Sequence, residues 1–308
     1  MMELETTLSE LRGEIDRLDD ELVDLLLRRA RLVAEIGTLK GANGGPILRP
    51  GREAEILRRL LARVGKKTAG GHMEGAAVVR IWREIVSAAV RQQGPFSVGA
   101  SVPANVPANV PGEAPSCWAL ARDQYGAATP IMSIAGPAQV VAAVADQRVT
   151  VGVLPYPASE EVEPWWPPLM VDDAPRVIAH LPAAEGMVPA DGCARGLALA
   201  LMAPEPSGED RSLIALETET GIGKSRLRDA LVEAGFVVRS TWFKESIGPD
   251  SHDGFLAEVD GFVLIDDPRL AAVQLEVSTG VTRLIVIGAF AVPPHVGENP
   301  GTDPGDGS

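Results

Sequence analysis

Three cationic side chains lie on one amphipathic segment near the start of the chain. Arg29 and Lys40 are eleven residues apart. On an α-helix they therefore lie within about 20° of each other and about 16 Å apart along the axis. Both can lean towards one small anion between them. Arg12 is about 25 Å from Arg29 and about 100° around the helix, so it can reach such an anion only in the site of a neighbouring chain.

A second group of polar residues follows on two shorter segments. Arg52 and Glu53 stand in the first turn of the next predicted helix, where free backbone N–H groups favour an anion. In the third predicted helix an apolar stripe ends in the amide of Gln93, and a buried amide requires a hydrogen-bond partner. Basic side chains on helices are solvated more often than functional, so spacing alone leaves a ligand site and a solvated surface both open.

Three helices must position these residues. Leu, Ile and Val recur every three or four positions over residues 7–40 without a proline, which predicts one helix about 50 Å long. Residues 51–64 and 76–93 predict two shorter helices and complete an all-α unit over residues 1–95. The first helix is longer than one small domain can cover, so its apolar stripe is expected to pair with a second copy in an intertwined homodimer.

The pattern of these residues resembles a known family. L-x-x-L-R-x-x-I-D-x-L-D-x-x-L-x-x-L-L-x-x-R from Leu8 to Arg29, followed by Lys40, Pro46-Ile47, Arg52-Glu53 and Gln93, resembles the all-helical chorismate mutases over about residues 7–93. The resemblance implies that the chain rearranges chorismate to prephenate for phenylalanine and tyrosine synthesis. It also implies that the substrate carboxylates are held by Arg12 of the partner chain, Arg29 and Arg52.

The remaining roles follow from the same resemblance. Lys40 and Gln93 would face the ether oxygen of chorismate, and Glu53 the ring hydroxyl. The rearrangement is unimolecular, so it needs a dianion held in a folded shape and stabilisation of the negative charge that develops on the ether oxygen. No cofactor and no metal is therefore expected.

Two positions depart from the family pattern, and two other functions stay open. Arg49 stands where an acid is frequent, and Ala89 where a serine is common. One neutral hydrogen bond contributes only about 1 kcal/mol, so weaker substrate binding is expected rather than loss of activity. The first alternative is a lyase acting on isochorismate in a similar helical cage. The second is a non-catalytic regulatory or binding subunit, in which the helix cations are surface charges.

The rest of the chain has a different pattern. Residues 94–116 contain a near-repeat VPAN and five prolines, which predicts an extended linker over 96–116. Short helices and strands alternate over 117–208. The order strand-helix-strand-strand-helix-strand over 209–293 predicts a ferredoxin-like α+β unit. Residues 294–308 are predicted to be a disordered tail.

The order of these segments resembles the bifunctional chorismate mutase–prephenate dehydratases. Residues 117–208 resemble part of a dehydratase lobe, and residues 209–293 resemble an ACT regulatory domain. The segment is too short for the two dehydratase lobes, and the chain lacks the Thr-Arg-Phe motif in which that family has its catalytic threonine. We therefore expect a degenerate lobe without dehydratase activity. The family's phenylalanine-binding motifs are also missing, so a structural or dimerising role is expected for the ACT-like unit, with amino-acid feedback as the alternative.

Charge and cysteine content restrict the partners. The formal net charge is -14; residues 1–95 carry +2 and the rest -16. A chain this acidic repels polyanions, so nucleic acid is not expected as a partner. The sequence contains no run of about 20 apolar residues, so no membrane span is expected. Two cysteines cannot form a disulfide framework, which favours a reducing cytoplasm.

Overall fold

The computed structural model describes residues 2–41, 46–65, 73–103, 117–158, 164–187, 195–219, 221–246, 252–276 and 280–296. Two compact units are present, Met1–Leu48 with Ala88–Pro95 and Arg49–Ser87 with Phe96–Ser308. The three predicted helices are α1 (Met2–Gly41), α2 (Pro50–Val64) and α3 (Gly75–Gln93). An all-α segment followed by a sheet-rich α/β region confirms the predicted fold class. None of the described helices is long and apolar enough to cross a membrane.

Helix α1 leaves its apolar stripe in contact with solvent. Its leucines and isoleucines recur at helical spacing without a proline, which explains why the segment is helical from end to end. Within one chain the large side chains of the stripe stay exposed: Leu8, Leu11, Ile15, Leu18, Leu22, Leu25, Leu26, Leu32 and Ile36. A contiguous exposed apolar surface of this kind is typical of an interaction surface.

The α/β region is built on one nine-stranded sheet. Its strands are β1 (Val98–Val102), β2 (Ile131–Ala135), β3 (Val151–Pro155), β4 (Arg176–Leu181), β5 (Gly196–Ala200), β6 (Asp210–Glu219), β7 (Val238–Lys244), β8 (His252–Asp260) and β9 (Val281–Ala291). The order across the sheet is β2-β1-β3-β5-β4-β9-β6-β8-β7. The remaining helices are α4 (Cys117–Tyr125), α5 (Pro137–Ala145), α6 (Lys224–Glu233) and α7 (Pro268–Glu276).

Strand β1 corrects the prediction of a linker over 96–116. Residues 98–102 are all buried and pair in parallel with β2, and residues 98–100 also pair in parallel with β3. The neighbouring side chains come so close that a Cβ at Gly99 would stand 2.8 Å from Ile134 Cδ1. This crowding favours small residues, which have low strand propensity. The segment VGASV therefore carries a weak strand signal, and the prolines that follow it also argue against a strand. Residues 104–116 lie outside the described residues.

The C-terminal strands and helices follow the predicted order. Strand β6 is antiparallel to both β8 and β9, and β8 is antiparallel to β7. The apolar side chains of α6 and α7 pack on one face of these strands, in a core that includes Leu227, Leu231, Val273, Ile214, Phe255 and Val286. The predicted βαββαβ succession is therefore confirmed.

The predicted segments 117–208 and 209–293 share this sheet and a core. Strand β4 pairs in parallel with β9 at Val177 and Gly288. A Cβ at Gly288 would stand 2.3 Å from Val177 O, so the junction requires glycine. Trp165 and Trp166, for which the sequence allows either a binding patch or a cap on the core, are both 1% exposed and belong to the core cluster. Both tryptophans therefore cap the core.

The end of the described chain also differs from the prediction. Glu185 N–H donates to Pro294 O at 2.9 Å, and Val296 N–H donates to Glu185 O at 3.0 Å. Residues 294–296 are thus held by backbone pairing rather than forming part of a disordered tail. Residues 297–308 lie outside the described residues.

Candidate active site

Helix α1 presents two of the predicted cations without partners. Arg29 is half-buried and Arg12 is exposed. Within the described part of the chain, neither guanidinium forms a hydrogen bond or an ion pair. The backbone of Lys40 belongs to α1, but its side chain lies outside the described residues. A half-buried arginine without a protein partner has its donors free for an anionic ligand.

The amide of Gln93 lies against α1. Its Nε2 donates to Ala89 O, one turn earlier in α3, at 3.1 Å. Its Cγ is 3.2 Å from the place that a Cβ would take at Gly37, one turn before Lys40. The structure therefore brings Gln93 close to the α1 turns between Arg29 and Lys40. Gly37 was not singled out from the sequence, although an isolated glycine inside a helical pattern indicates a close approach.

Helix α2 carries Arg52 and Glu53 as neighbours with different surroundings. Its start is favoured by Pro50 at the first helical position. The Arg52 side chain is 61% exposed, and its Nη1 is 2.7 Å from Glu55 Oε2 on the next turn. An exposed pair of this kind contributes little stability, so an anionic ligand can displace it.

Glu53 forms a buried ion pair that the sequence did not predict. Its Oε2 accepts a hydrogen bond from Arg83 Nη1 of α3 at 2.9 Å, and the two side chains are 14% and 4% exposed. Arg83 Nε is buried without a partner among the described residues. Both residues line a cavity of about 40 Å³, together with Gln124, His180 and apolar side chains from α2 and β4. Such a cavity has room for only a few water molecules.

Two other arginines fix α2 to the α/β region. Arg49 forms an ion pair with Glu205. Arg58 donates to Ser207 O at 2.8 Å, to Glu209 O at 2.7 Å and to Val292 O at 3.0 Å. Arg49, which departs from the family pattern, is therefore occupied by an ion pair within the chain.

A second cluster of polar and aromatic groups lies inside the sheet region. Tyr156 donates to Glu258 Oε2, and Arg211 donates to Glu258 Oε1 at 2.7 Å. Burial and the hydrogen bond to Glu258 raise the pKa of Tyr156. Burial lowers the pKa of His180, which packs edge-on against Tyr156, to about 4. Both Glu258 oxygens are already bonded, so this cluster links strands and leaves no open carboxylate for a ligand.

Comparisons with known proteins find a family match for the helical part of the chain. Residues 11–94 match the family model "Chorismate mutase type II". These residues form a chorismate mutase domain. The bifunctional chorismate mutase/prephenate dehydratase of Aquifex aeolicus is 46% identical over 83 residues, which are 27% of this chain and 23% of that protein.

Two further relatives extend beyond the chorismate mutase domain. The enzyme of the same name from Pseudomonas aeruginosa is 30% identical over 159 residues, which are 50% of this chain and 40% of that one. The solved prephenate dehydratase of Streptococcus mutans aligns with 64% of this chain and 100% of its own, at 14% identity and a TM-score of 0.43. This TM-score does not establish a shared fold. The chain thus spans less than half the length of the Aquifex aeolicus and Pseudomonas aeruginosa enzymes that it matches.

Proposed function

We propose that the protein is a chorismate mutase that rearranges chorismate to prephenate in phenylalanine and tyrosine synthesis. The proposal depends chiefly on one observation. Within the chorismate mutase domain, Arg29 is half-buried without a partner among the described residues, and Gln93 packs on α1 at Gly37, between Arg29 and Lys40. These groups supply donors for an anion and for an uncharged oxygen.

The reaction requires only binding and charge stabilisation. In the proposed site Arg29 and Arg52, with Arg12 from a partner chain, hold the two carboxylates in a folded conformation. Lys40 and Gln93 donate to the ether oxygen, where negative charge develops as its bond to the ring breaks. Glu53 accepts the hydrogen of the ring hydroxyl. No step requires a metal or a cofactor.

We also propose that the occupant of the exposed α1 stripe is a second copy of this chain. The long amphipathic helix of one copy offers the other an apolar surface of matching length. Each half-exposed leucine that becomes buried contributes about 1 kcal/mol. Arg12, about 25 Å along α1 from Arg29, gains a role in such a homodimer because it can serve the partner's substrate.

The test follows chorismate by absorbance, with identification of the product. Wild-type protein is expected to form prephenate, and Arg29→Ala is expected to lower kcat/KM by about 10²- to 10³-fold. Arg31→Ala is the matched control, because Arg31 is an exposed arginine on the same helix, and should stay within twofold. An Arg29→Ala activity within twofold of wild type would refute the assignment. Turnover of isochorismate to pyruvate in place of prephenate formation would favour the lyase alternative.

For residues 96–308, the acidic remainder of the chain, we propose a role without dehydratase activity. The absence of a Thr-Arg-Phe sequence supports this view, as does the single sheet that unites residues 117–208 with the ACT-like unit 209–293. We also propose segment boundaries near residues 95, 208 and 293. The proposed cellular location is the cytoplasm. Prephenate incubated with the full chain should yield no phenylpyruvate, and its appearance would overturn this part of the proposal.

A further inference from the structure

Arg83 is a charged residue on the buried face of α3. It shares this face with Val79 and Ser87, one turn before and one turn after it, and all three are buried. A buried guanidinium costs free energy unless a carboxylate or several acceptors compensate its charge. The only described carboxylate that pairs with it is Glu53, across on α2 at 2.9 Å.

The pair uses only half of the Glu53 carboxylate. Oε2 accepts from Arg83 Nη1, while no described group donates to Oε1. Glu53 is also a residue that the proposed function assigns to the substrate. Because a carboxylate is planar, fixing Oε2 also limits the directions in which Oε1 can accept a hydrogen bond.

The turn of α3 that follows Arg83 is itself held by the α/β region. Glu84 Oε1 accepts the backbone N–H of Ala127 at 2.9 Å, and Ser87 donates to Tyr125 O at the end of α4. These contacts fix the position of Arg83 relative to the α/β region. They give the acidic remainder a direct mechanical connection to Glu53.

We propose that Arg83 is a positioning residue for the mutase reaction. It holds Glu53 by Oε2 and thereby directs Oε1 to the hydroxyl of the substrate, without touching the substrate itself. The inference rests on the proposed function, since it gives Arg83 a role only if Glu53 binds chorismate. It also gives the α/β region a part in the reaction, because that region anchors α3 at Glu84 and Ser87, directly after Arg83.

The test is a double-mutant cycle in the full chain. Arg83→Met is expected to lower kcat/KM for chorismate about tenfold, mainly through a higher KM, because the hydrogen bond to the hydroxyl is misdirected. Arg83→Lys should recover part of this loss. In a Glu53→Gln background, Arg83→Met should change kcat/KM less than twofold, since its effect passes through the carboxylate. Arg80→Met, an exposed arginine on the same helix, is the control and should stay within twofold of wild type.

The outcomes separate this inference from the proposed function. Equal losses from Arg83→Met with Glu53 present or replaced would show a merely structural role and overturn the inference. So would an Arg83→Met activity within twofold of wild type while Arg29→Ala loses activity. A wild-type chain without chorismate turnover would overturn the proposed function and this role with it. If Arg83→Met does not fold, Arg83→Lys and the double variant still decide, since removing both charges of the pair leaves no uncompensated buried charge.

Discussion

The attachment of α2 to the α/β region is expected to depend on Arg58. Its side chain is 19% exposed, and its two terminal nitrogens donate to three backbone oxygens at 2.7 to 3.0 Å and to Ser207 Oγ at 3.1 Å. Arg58→Met keeps most of the aliphatic length and removes all four bonds. Helix α2 carries Arg52 and Glu53, so the same substitution also loosens the element that presents them.

The magnitude follows from the individual contacts. Three short bonds at about 1 kcal/mol each give about 3 kcal/mol. Arg58 Nε is buried and donates no hydrogen bond, with Glu209 Oε2 3.9 Å away, and removing this donor returns about 1 kcal/mol. The expected loss in the free energy of unfolding is therefore about 2 kcal/mol. Arg59→Met is the control, because Arg59 is exposed on the same helix and its replacement should change stability by less than about 0.5 kcal/mol.

The assay is urea unfolding of the full chain at neutral pH, followed by circular dichroism, with mutase kinetics measured without urea. Arg58→Met should lower the unfolding midpoint and reduce kcat/KM several-fold, whereas Arg59→Met should do neither. If the two variants unfold at the same urea concentration, the four bonds do not hold α2, and this reasoning fails.

Three further predictions test other parts of the chain. Burial keeps the pKa of His180 at about 4, below its ordinary value of about 6.5, so the unfolded state binds more protons between these values. The free energy of unfolding is therefore expected to decrease by about 2 kcal/mol as the pH is lowered from 7 to 5. In urea unfolding, His180→Gln should lack this pH-dependent decrease. Leu22→Lys places a charge in the exposed α1 stripe and should give an inactive monomer by light scattering; a persistent dimer would contradict the second-copy proposal. Gly37→Val should displace Gln93 and lower kcat at unchanged helicity, and full activity would remove Gln93 from the site.

Local patterns predicted the elements better than their pairing. The spacing of apolar residues was sufficient for the three helices and for the βαββαβ order, because each depends on neighbours within the segment. Strand β1 was missed because its small residues suit their crowded neighbours across the sheet, which are distant in sequence. The pairing of β4 with β9 at Gly288 had no local signal either, since only the close approach of Val177 requires that glycine.

The candidate site was predicted in part for a similar reason. The cations of α1 and the Arg52-Glu53 pair belong to a sequence pattern that can be found along the chain. The ion pair between Glu53 and Arg83 joins two helices 30 residues apart. Its only signal in the sequence was the position of Arg83, four residues after Val79 and so on the same face of α3. The structure shows that this face is buried. The sequence alone does not identify Glu53 as the partner of that charge, because the pairing depends on how α2 and α3 pack.

The surroundings of three arginines on and beside α2 indicate what this helix can offer a dianion. Arg49 and Arg58 are occupied by Glu205 and by backbone oxygens of the acidic remainder. Arg52 has only an exposed partner on the next turn, which a ligand with two carboxylates can replace at little cost. The acidic remainder thus neutralises or occupies the arginines that anchor α2 and leaves Arg52 available for the proposed substrate. A chain with a net charge of -14 can therefore still bind an anion, because binding depends on the cations nearest to it and distant charges are screened beyond about 10 Å.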